Sequence, residues 1–396
     1  MAKQQRVLYF FPYNPIGRQS GAQTRAITLL RYFKSRGMKV DLVSRQGDWE
    51  KITPEEMDMV RNSGFVENAW FWSRKPPKKN PLVYFFQYKL PHMLFNRKLN
   101  PIKGGLPNLV NLHLRREFDK LLQQNKYDYI IISYAYYADL IKDNPFINGA
   151  CTIMDTHDLM ASQHQLDKNV NVGAALGDEI RRLSLYDQIW ACSGEENYFF
   201  SQFIRKETLY IPTMVEEPRQ DDGRTEKKYD IIYVASDNEN NKKSAAWFFD
   251  KVYPLLPQSY RLCIIGKINA HIPQGLSNVT CLPFVEDLSD YYLASKVVIC
   301  PMLAGTGVKI KVLEAFSYGK PVVCNERGLD GLPEKTDNGC LVSESPAGFA
   351  DHITRLLTDP ALFAEQSAWS AASFRKTFAA EKVYQRIDAA LKVNQP

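Results

Sequence analysis

The sequence predicts an α/β protein built from two doubly wound domains, and three observations carry that reading. Its 396 residues are too many for one ordinary core, so two domains are the natural expectation. Short apolar runs alternate with helix-length amphipathic segments along the whole chain, the pattern of parallel strands covered by helices. Charge is unevenly placed: residues 1–215 hold 29 Lys and Arg against 21 Asp and Glu, and the remainder holds 21 against 23. Halves with different charge balances point to different partners.

Taken in order, the first half offers strands in RVLYFF (6–11), KVDLVS (39–44), YDYIIIS (127–133), CTIMD (151–155) and DQIWACS (187–193). Between the first two, TRAITLLRYFKSRG puts Ile27, Leu30 and Phe33 on one helical face, with Gly37 at its end. The second half offers YDIIYVAS (229–236), YRLCIIG (260–266), VTCLPF (279–284), KVVICPM (296–302) and PVVCN (321–325). The polar segment 216–228 interrupts the pattern and reads as a linker. The expected division is therefore 1–215 and 229–370, two Rossmann-like domains facing a central cleft, followed by a helical segment at 371–396. In that segment Val383, Ile387 and Leu391 share one stripe that could pack on either half, including back on the N-terminal domain.

Bulk composition narrows the class. Apolar residues make up 45% and charged residues 24%, ordinary globular values that exclude wholesale disorder. The seven cysteines, at 151, 192, 263, 281, 300, 324 and 340, form no CxxC pair. Reduced core thiols are expected, rather than bridges or a zinc site. No apolar run reaches the ~18 residues needed to span a bilayer, and MAKQQR leads straight into a strand without a signal peptide. A soluble cytoplasmic protein is the expectation.

Doubly wound sheets bind ligands beyond the carboxyl ends of their strands, so the chemistry is sought in those loops. After KVVICPM comes LAGTG and then the helical segment VKIKVLEAFSYG. Gly305 and Gly307, on either side of Thr306, allow tight turning and close backbone approach. The first N–H groups of the helix point outward unpaired, and a phosphate there gains both their hydrogen bonds and the positive dipole end. Around the helix, Val308, Val312, Ala315 and Phe316 form one apolar stripe, with Ile310 and Leu313 on the far side. Lys311, Glu314 and Tyr318 share the narrow strip between, a polar notch expected to face a ligand. An i,i+3 ion pair between Lys311 and Glu314 is the plainer alternative. Lys309 lies about 200° from Lys311 around the axis, but in the first turn it can fold toward a bound anion.

The N-terminal loops are less specific. GRQSGAQTR (17–25) has too few glycines for the GxGxxG fingerprint, which argues against a simple NAD-dependent dehydrogenase. MDTHDLMASQH (154–164) sets Asp155 and Asp158 around His157 at a strand's carboxyl end, and carboxylates so close would raise a histidine's pKa. From Trp72 to Arg116 there are ten basic residues and no acidic one, interleaved with Tyr84, Phe85, Phe86, Tyr88 and Phe95. That mixture suits an anionic membrane surface, and a solvated loop over a buried aromatic cluster is the plainer alternative. Nucleic acid is not expected, since prolines divide the stretch and leave neither a recognition helix nor an RNA-binding sheet.

GTGVKIKVLEAFSYGKPVV (305–323) resembles the signature of the group 1 (family 4) glycosyltransferases of GT-B fold. The likeness extends to FPYNPIGRQSGAQTRAITLLRYFKSRGMKVDLVS, to DNENNKKSAAWFFDKVYPLLPQSYRLCIIG and to VTCLPFVEDLSDYYLASKVVICPM, in the family's order. The resemblance implies a C-terminal domain that holds a nucleotide-diphosphate-sugar donor and an N-terminal domain that holds the acceptor. Glu314 would bond the donor ribose. Lys309, Lys311, the backbone of Gly305 and Gly307, and the pair Lys242 and Lys243 would meet the diphosphate. Gly21 and Gln23 would lie over the donor phosphates and acceptor. His157 would contact the donor sugar or reacting centre, with Asp155 or Asp158 orienting its ring or serving as base in an inverting reaction.

The resemblance implies no cofactor and no metal, because lysines and a helix terminus can stabilise the leaving diphosphate. Many retaining relatives carry a glutamate eight residues before the ribose-binding one. Position 306 here is threonine, so stereochemistry stays open. The expected activity is transfer of a hexose-type sugar to a glycan or lipid-linked acceptor in bacterial surface polysaccharide synthesis. Residues 72–116 would hold the enzyme on the inner face of the membrane. The alternatives are a nucleotide-sugar epimerase or hydrolase, and a non-catalytic membrane- or nucleic-acid-binding protein.

Overall fold

The computed structural model describes residues 4–17, 20–47, 51–99, 102–165, 167–216, 218, 225–283, 285 and 287–393. The chain divides into two units, 1–211 and 212–396. Of the expected linker, positions 217 and 219–224 lie outside the described residues, as do Arg18 and Gln19 of the first N-terminal loop.

Unit 1 contains β1 (Arg6–Phe10), β2 (Lys39–Gln46), β3 (Asn68–Ser73), β4 (Tyr129–Ser133), β5 (Cys151–Asp155), β6 (Gln188–Ala191) and β7 (Glu207–Tyr210). They form one sheet in the order β3-β2-β1-β4-β5-β6-β7, parallel throughout. Unit 2 contains β8 (Tyr229–Val234), β9 (Leu262–Ile265), β10 (Val279–Leu282), β11 (Ser295–Cys300), β12 (Val322–Cys324) and β13 (Cys340–Val342). Their order is β10-β9-β8-β11-β12-β13, again all parallel. Counted within its own unit, each sheet starts 3-2-1-4-5-6, the dinucleotide-fold order. Its topological switch point therefore falls between β1 and β4 in one unit and between β8 and β11 in the other.

Every strand read from the sequence is present. The three that it did not suggest, β3, β7 and β13, are all edge strands. Their side chains are half-buried or exposed. β4, by contrast, is YIIIS and buried throughout.

Unit 2 shows how the sheet positions its helices. Alternate residues go to opposite faces: Ile231, Tyr233, Ile264 and Ile299 meet Phe248, Phe349 and Ile353 on one side. Ile232, Ile265, Val298 and Cys300 meet Val312, Leu313, Phe316, Phe374 and Phe378 on the other. Phe374 and Phe378, from the C-terminal segment, thus belong to the core of unit 2. All seven cysteines are free thiols, and Cys281 is exposed rather than in the core.

Candidate active site

The loops at the β8/β11 switch point meet around a helix at Ile310–Ser317. Val312, Leu313, Ala315 and Phe316 are fully buried, while Lys311, Glu314 and Tyr318 are half-buried. The helix is thus apolar on two sides with one polar strip left open. Gly305 and Gly307 adopt φ of +101° and +76°, a region that side chains avoid. A Cβ on Gly305 would come 3.0 Å from Asn240 Nδ2. The loop after β11 therefore lies against the helix Glu239–Trp247 that follows β8. Leu303 N–H donates to Ser244 Oγ at 3.3 Å on the same side.

Lys311 does not close an ion pair with Glu314. Its ammonium donates to Asn241 Oδ1 at 3.3 Å and sits 5.1 Å above the Tyr233 ring. Asn241 in turn donates to Ser236 O and Oγ at 3.0 and 3.1 Å, which ties the end of β8 to the lysine. Burial holds the Lys311 ammonium below its ordinary pKa, and Lys309 adds to the depression against Cys300 and Glu314. Glu314 Oε2 accepts from Tyr292 OH at 3.1 Å, and Tyr292 stacks on Tyr318 with centroids 5.0 Å apart. Burial pushes the Glu314 carboxyl up to about 7, although the Tyr292 hydroxyl and Lys311 pull the other way. One strip of the helix thus carries a half-buried cation and a half-buried carboxyl, each held by a neighbour.

This arrangement fixes a pH dependence. The ordinary value of the Glu314 carboxyl is 4.5 and the folded value is higher, so protonation favours the folded state. That contribution is whole below the unfolded value and is lost as pH rises through about 7. Glu314→Gln carries no titrating group, so its melting temperature should gain on the wild type between about pH 5 and pH 8. A difference that stays flat with pH would show that the carboxyl titrates normally.

Lys309 is placed differently from the expectation. It precedes the helix as its capping residue instead of lying in the first turn. Its buried ammonium donates to Gly307 O at 2.6 Å and Thr306 O at 3.2 Å, and lies 3.4 Å from Asp330 Oδ2. Lys309 thus braces the glycine loop from within. Lys242 pairs with Glu239 at 2.9 Å, about 200° around the helix from Asn240 and so away from the glycine loop. Lys243 is exposed. Sequence reasoning missed Asn240, Asn241, Tyr292 and Asp330. The pair of asparagines in NENNKK just after a strand was the available signal.

In unit 1 the centre is Asp155, the last residue of β5 and wholly buried. Arg25, on the helix Gly21–Ser35, donates from Nε to Asp155 Oδ1 at 2.7 Å and from Nη1 to Ile211 O at 2.7 Å. Ser133 Oγ donates to Asp155 Oδ2 at 3.4 Å. His157 Nε2 lies 2.9 Å from that same oxygen, off the axis of a good hydrogen bond. Burial works to raise the Asp155 carboxyl, but Arg25 and His157 outweigh it and hold the group well below the usual range. Asp155 is therefore a fixed anion. The His157 ring stacks on Tyr134 at 4.4 Å with a 10° interplanar angle. Both residues have positive φ, +64° and +69°, a strained geometry for side-chain-bearing residues and one that collects at functional sites.

Around this histidine the structure adds carboxyls that the sequence did not single out. Glu179 accepts from the N–H groups of Met160 and Ala161, both at 2.8 Å, and burial raises it to about 7. Burial, then Asp158 and Glu179, raise Glu196 to about 8. Asp158 itself is half-buried and accepts from Gln163 Nε2 at 2.6 Å. Gly21 is the exposed first residue of its helix. Gln23 is buried against Gly17, where a Cβ would come 2.5 Å from Gln23 Nε2, and it accepts from Ser20 Oγ at 3.3 Å. Its side chain is thus packed into the loop between β1 and the helix. Among the described residues, no group of three or more His, Cys, Asp or Glu is placed to hold a metal ion.

Residues 228–359 match the family model described as Glycosyl transferases group 1. The matched span lies wholly within the C-terminal unit and covers a third of the chain. The glycine loop, Lys311 and Glu314 all fall inside that matched span. An uncharacterized 44.6 kDa protein in the cps region of Klebsiella pneumoniae is 27% identical over 128 residues, 29% of this chain. The match takes in 33% of that relative, so the chain spans about a third of its length.

Solved structures are similar over both units. Anabaena Alr3699/HepE, in complex with UDP and glucose, superposes with a TM-score of 0.70 at 14% identity, covering 99% of this chain and 100% of its own. Sucrose-phosphate synthase from Thermosynechococcus elongatus gives 0.71 at 15% identity and 98% of each chain. The pneumococcal O-GlcNAc transferase GtfA, with UDP and GlcNAc, gives 0.68 at 11% identity, covering 98% and 99%. These likenesses establish the fold, GT-B.

Proposed function

We propose that the chain transfers a hexose-type sugar from a nucleotide-diphosphate donor to a glycan or lipid-linked acceptor in surface polysaccharide assembly. The observation that carries this reading is the half-buried strip of Lys311 and Glu314 beside a glycine loop at a topological switch point. In this reading the loop amides and Lys311 take the diphosphate, whose charge grows as the bond to the sugar breaks. Glu314 accepts from the ribose hydroxyls. UDP in the HepE and GtfA structures supports a uridine donor as the first to test, and the cps-region relative supports polysaccharide synthesis.

His157 is assigned to the sugar or the reacting centre. Asp155, an anion locked to Arg25, orients the ring and stabilises positive charge on it, so base catalysis by Asp155 itself is not part of this reading. Asp158, half-buried beside it, is the carboxylate able to take the acceptor proton. Chemistry of this kind needs no metal, and the reading includes none. It also places the chain in the cytoplasm, peripheral on the inner face of a membrane where lipid-linked acceptors are presented. His157→Ala should leave nucleotide binding intact and lower sugar transfer by roughly a hundredfold or more. The check is calorimetric titration with UDP alongside a radiolabelled-sugar transfer assay. Full turnover in the variant would reduce His157 to a structural residue.

A further inference from the structure

Helical residues run from Pro81 to Leu99, as Pro81–Tyr84, a widened turn at Phe85–Lys89 and Leu90–Leu99. Asn80 caps the start, accepting from Leu82 N and Val83 N. One face is docked. Tyr88 is buried, stacked on His92 at 5.2 Å and edge-on to His113 of the helix Leu112–Gln124. Arg116 Nη1 donates to Gln87 O at 2.9 Å. The other face is bare: Leu82, Phe86, Leu90, Met93 and Leu94 recur at three- and four-residue spacing and are 41–71% exposed. Single exposed apolar residues are ordinary, but a row along one helix marks an interaction site.

We infer that this row is a membrane-docking face that lies in the headgroup region of an anionic bilayer. Charge decides the occupant. Residues 72–116 contain ten Lys and Arg and no Asp or Glu. Exposed Lys75, Lys78 and Lys79 stand just ahead of the helix, and Lys89 and Arg97 flank the row at helical spacing. A second copy docked through the same face would set basic residues against basic residues, because a twofold contact is self-complementary. Anionic lipid answers both the apolar row and the charge. Among the described residues no helix is long and apolar enough to cross a membrane, so this one lies on it.

The placement also suits the transfer reading, on which the choice of acceptor rests. β3 delivers the chain to this stretch from the carboxyl edge of its sheet. The stretch returns at Leu109, whose N–H donates to Tyr136 O, two residues beyond the Tyr134 ring that stacks on His157. A lipid-linked acceptor held by the bilayer is thus presented to the sheet edge that carries His157.

The test is flotation of the full chain with vesicles of mixed phosphatidylglycerol and phosphatidylcholine, against phosphatidylcholine alone. The wild type should float with the anionic vesicles only. Replacing Leu82, Phe86, Leu90 and Leu94 together with Gln keeps helix propensity and should lower partitioning at least about tenfold. Lys75→Gln with Lys78→Gln and Lys79→Gln should lower it on the order of a hundredfold at low salt. Hydrogen exchange should show protection of 81–99 when vesicles are added to the wild type. Undiminished flotation of the apolar-row variant, absence of wild-type flotation, or a dimer in light scattering that this variant disperses would each overturn the inference. UDP titration of the same samples separates the outcomes, since loss of donor binding would defeat the transfer reading and leave the flotation result standing.

Discussion

Asp155→Ala is expected to destabilise unit 1 by about 3–5 kcal/mol, because it leaves a guanidinium unpaired in the core. Arg25 and Asp155 have side chains only 2% and 0% exposed, and Arg25 also fixes the carbonyl of Ile211. Urea unfolding followed by circular dichroism measures the loss. A value below about 1 kcal/mol would mean that water reaches the guanidinium and the pair is effectively a surface one. Replacing both partners, Arg25→Met with Asp155→Leu, should recover much of the stability, since a buried ion pair is often matched by apolar residues of similar volume. Transfer should not recover with it, because His157 would still lack the anion 2.9 Å from its Nε2. Stability and turnover therefore separate in the double variant, as a positioning role requires.

Lys311→Ala and Glu314→Ala are expected to be the most damaging changes to donor binding. Lys311 is half-buried and already held by Asn241 and the Tyr233 ring, so little conformational freedom remains to be lost when an anion arrives. A hydrogen bond to a charged group contributes about 1.5–3 kcal/mol, and removing the ammonium should weaken UDP binding roughly 10- to 150-fold. Glu314 acts through a different part of the ligand. Its Oε2 is taken by Tyr292, which leaves Oε1 for the ribose diol. Glu314→Ala should therefore lose more affinity for UDP than for its 2′-deoxy analogue. Lys309→Ala should behave differently again, since its ammonium bonds loop carbonyls. It would loosen the loop and lower thermal stability as well as affinity.

The parts legible in the sequence were those dictated by burial on two faces. Central strands such as β4 and β11 are continuous apolar runs, and the helix at 310–317 showed its one polar strip because everything else on it is greasy. Edge strands β7 and β13 were not legible, being only 4 and 3 residues long, whereas the AWFW run of β3 was a signal left unread. The glycine loop was legible for its two glycines, but the direction of Lys309 was not. Spacing alone gives an angle around a helix and cannot show that the residue sits one position before the helix begins. The partners of Asn241, Tyr292 and Arg25 were invisible for another reason. Each acts on a partner far away in sequence, 70 residues for Lys311–Asn241, 22 for Tyr292–Glu314 and 130 for Arg25–Asp155. Only the fold brings them together. His157 stood out by its flanking carboxylates, whereas the strained backbone that fixes its ring had no signal in residue type.

The most direct measurement is calorimetric titration of UDP into the wild type, Lys311→Ala and Glu314→Ala under identical salt and pH. Donor capture at the helix after β11 predicts saturable one-to-one binding to the wild type and at least about tenfold weaker binding to each variant. Equal affinity in all three proteins would place the nucleotide elsewhere and contradict the assignment.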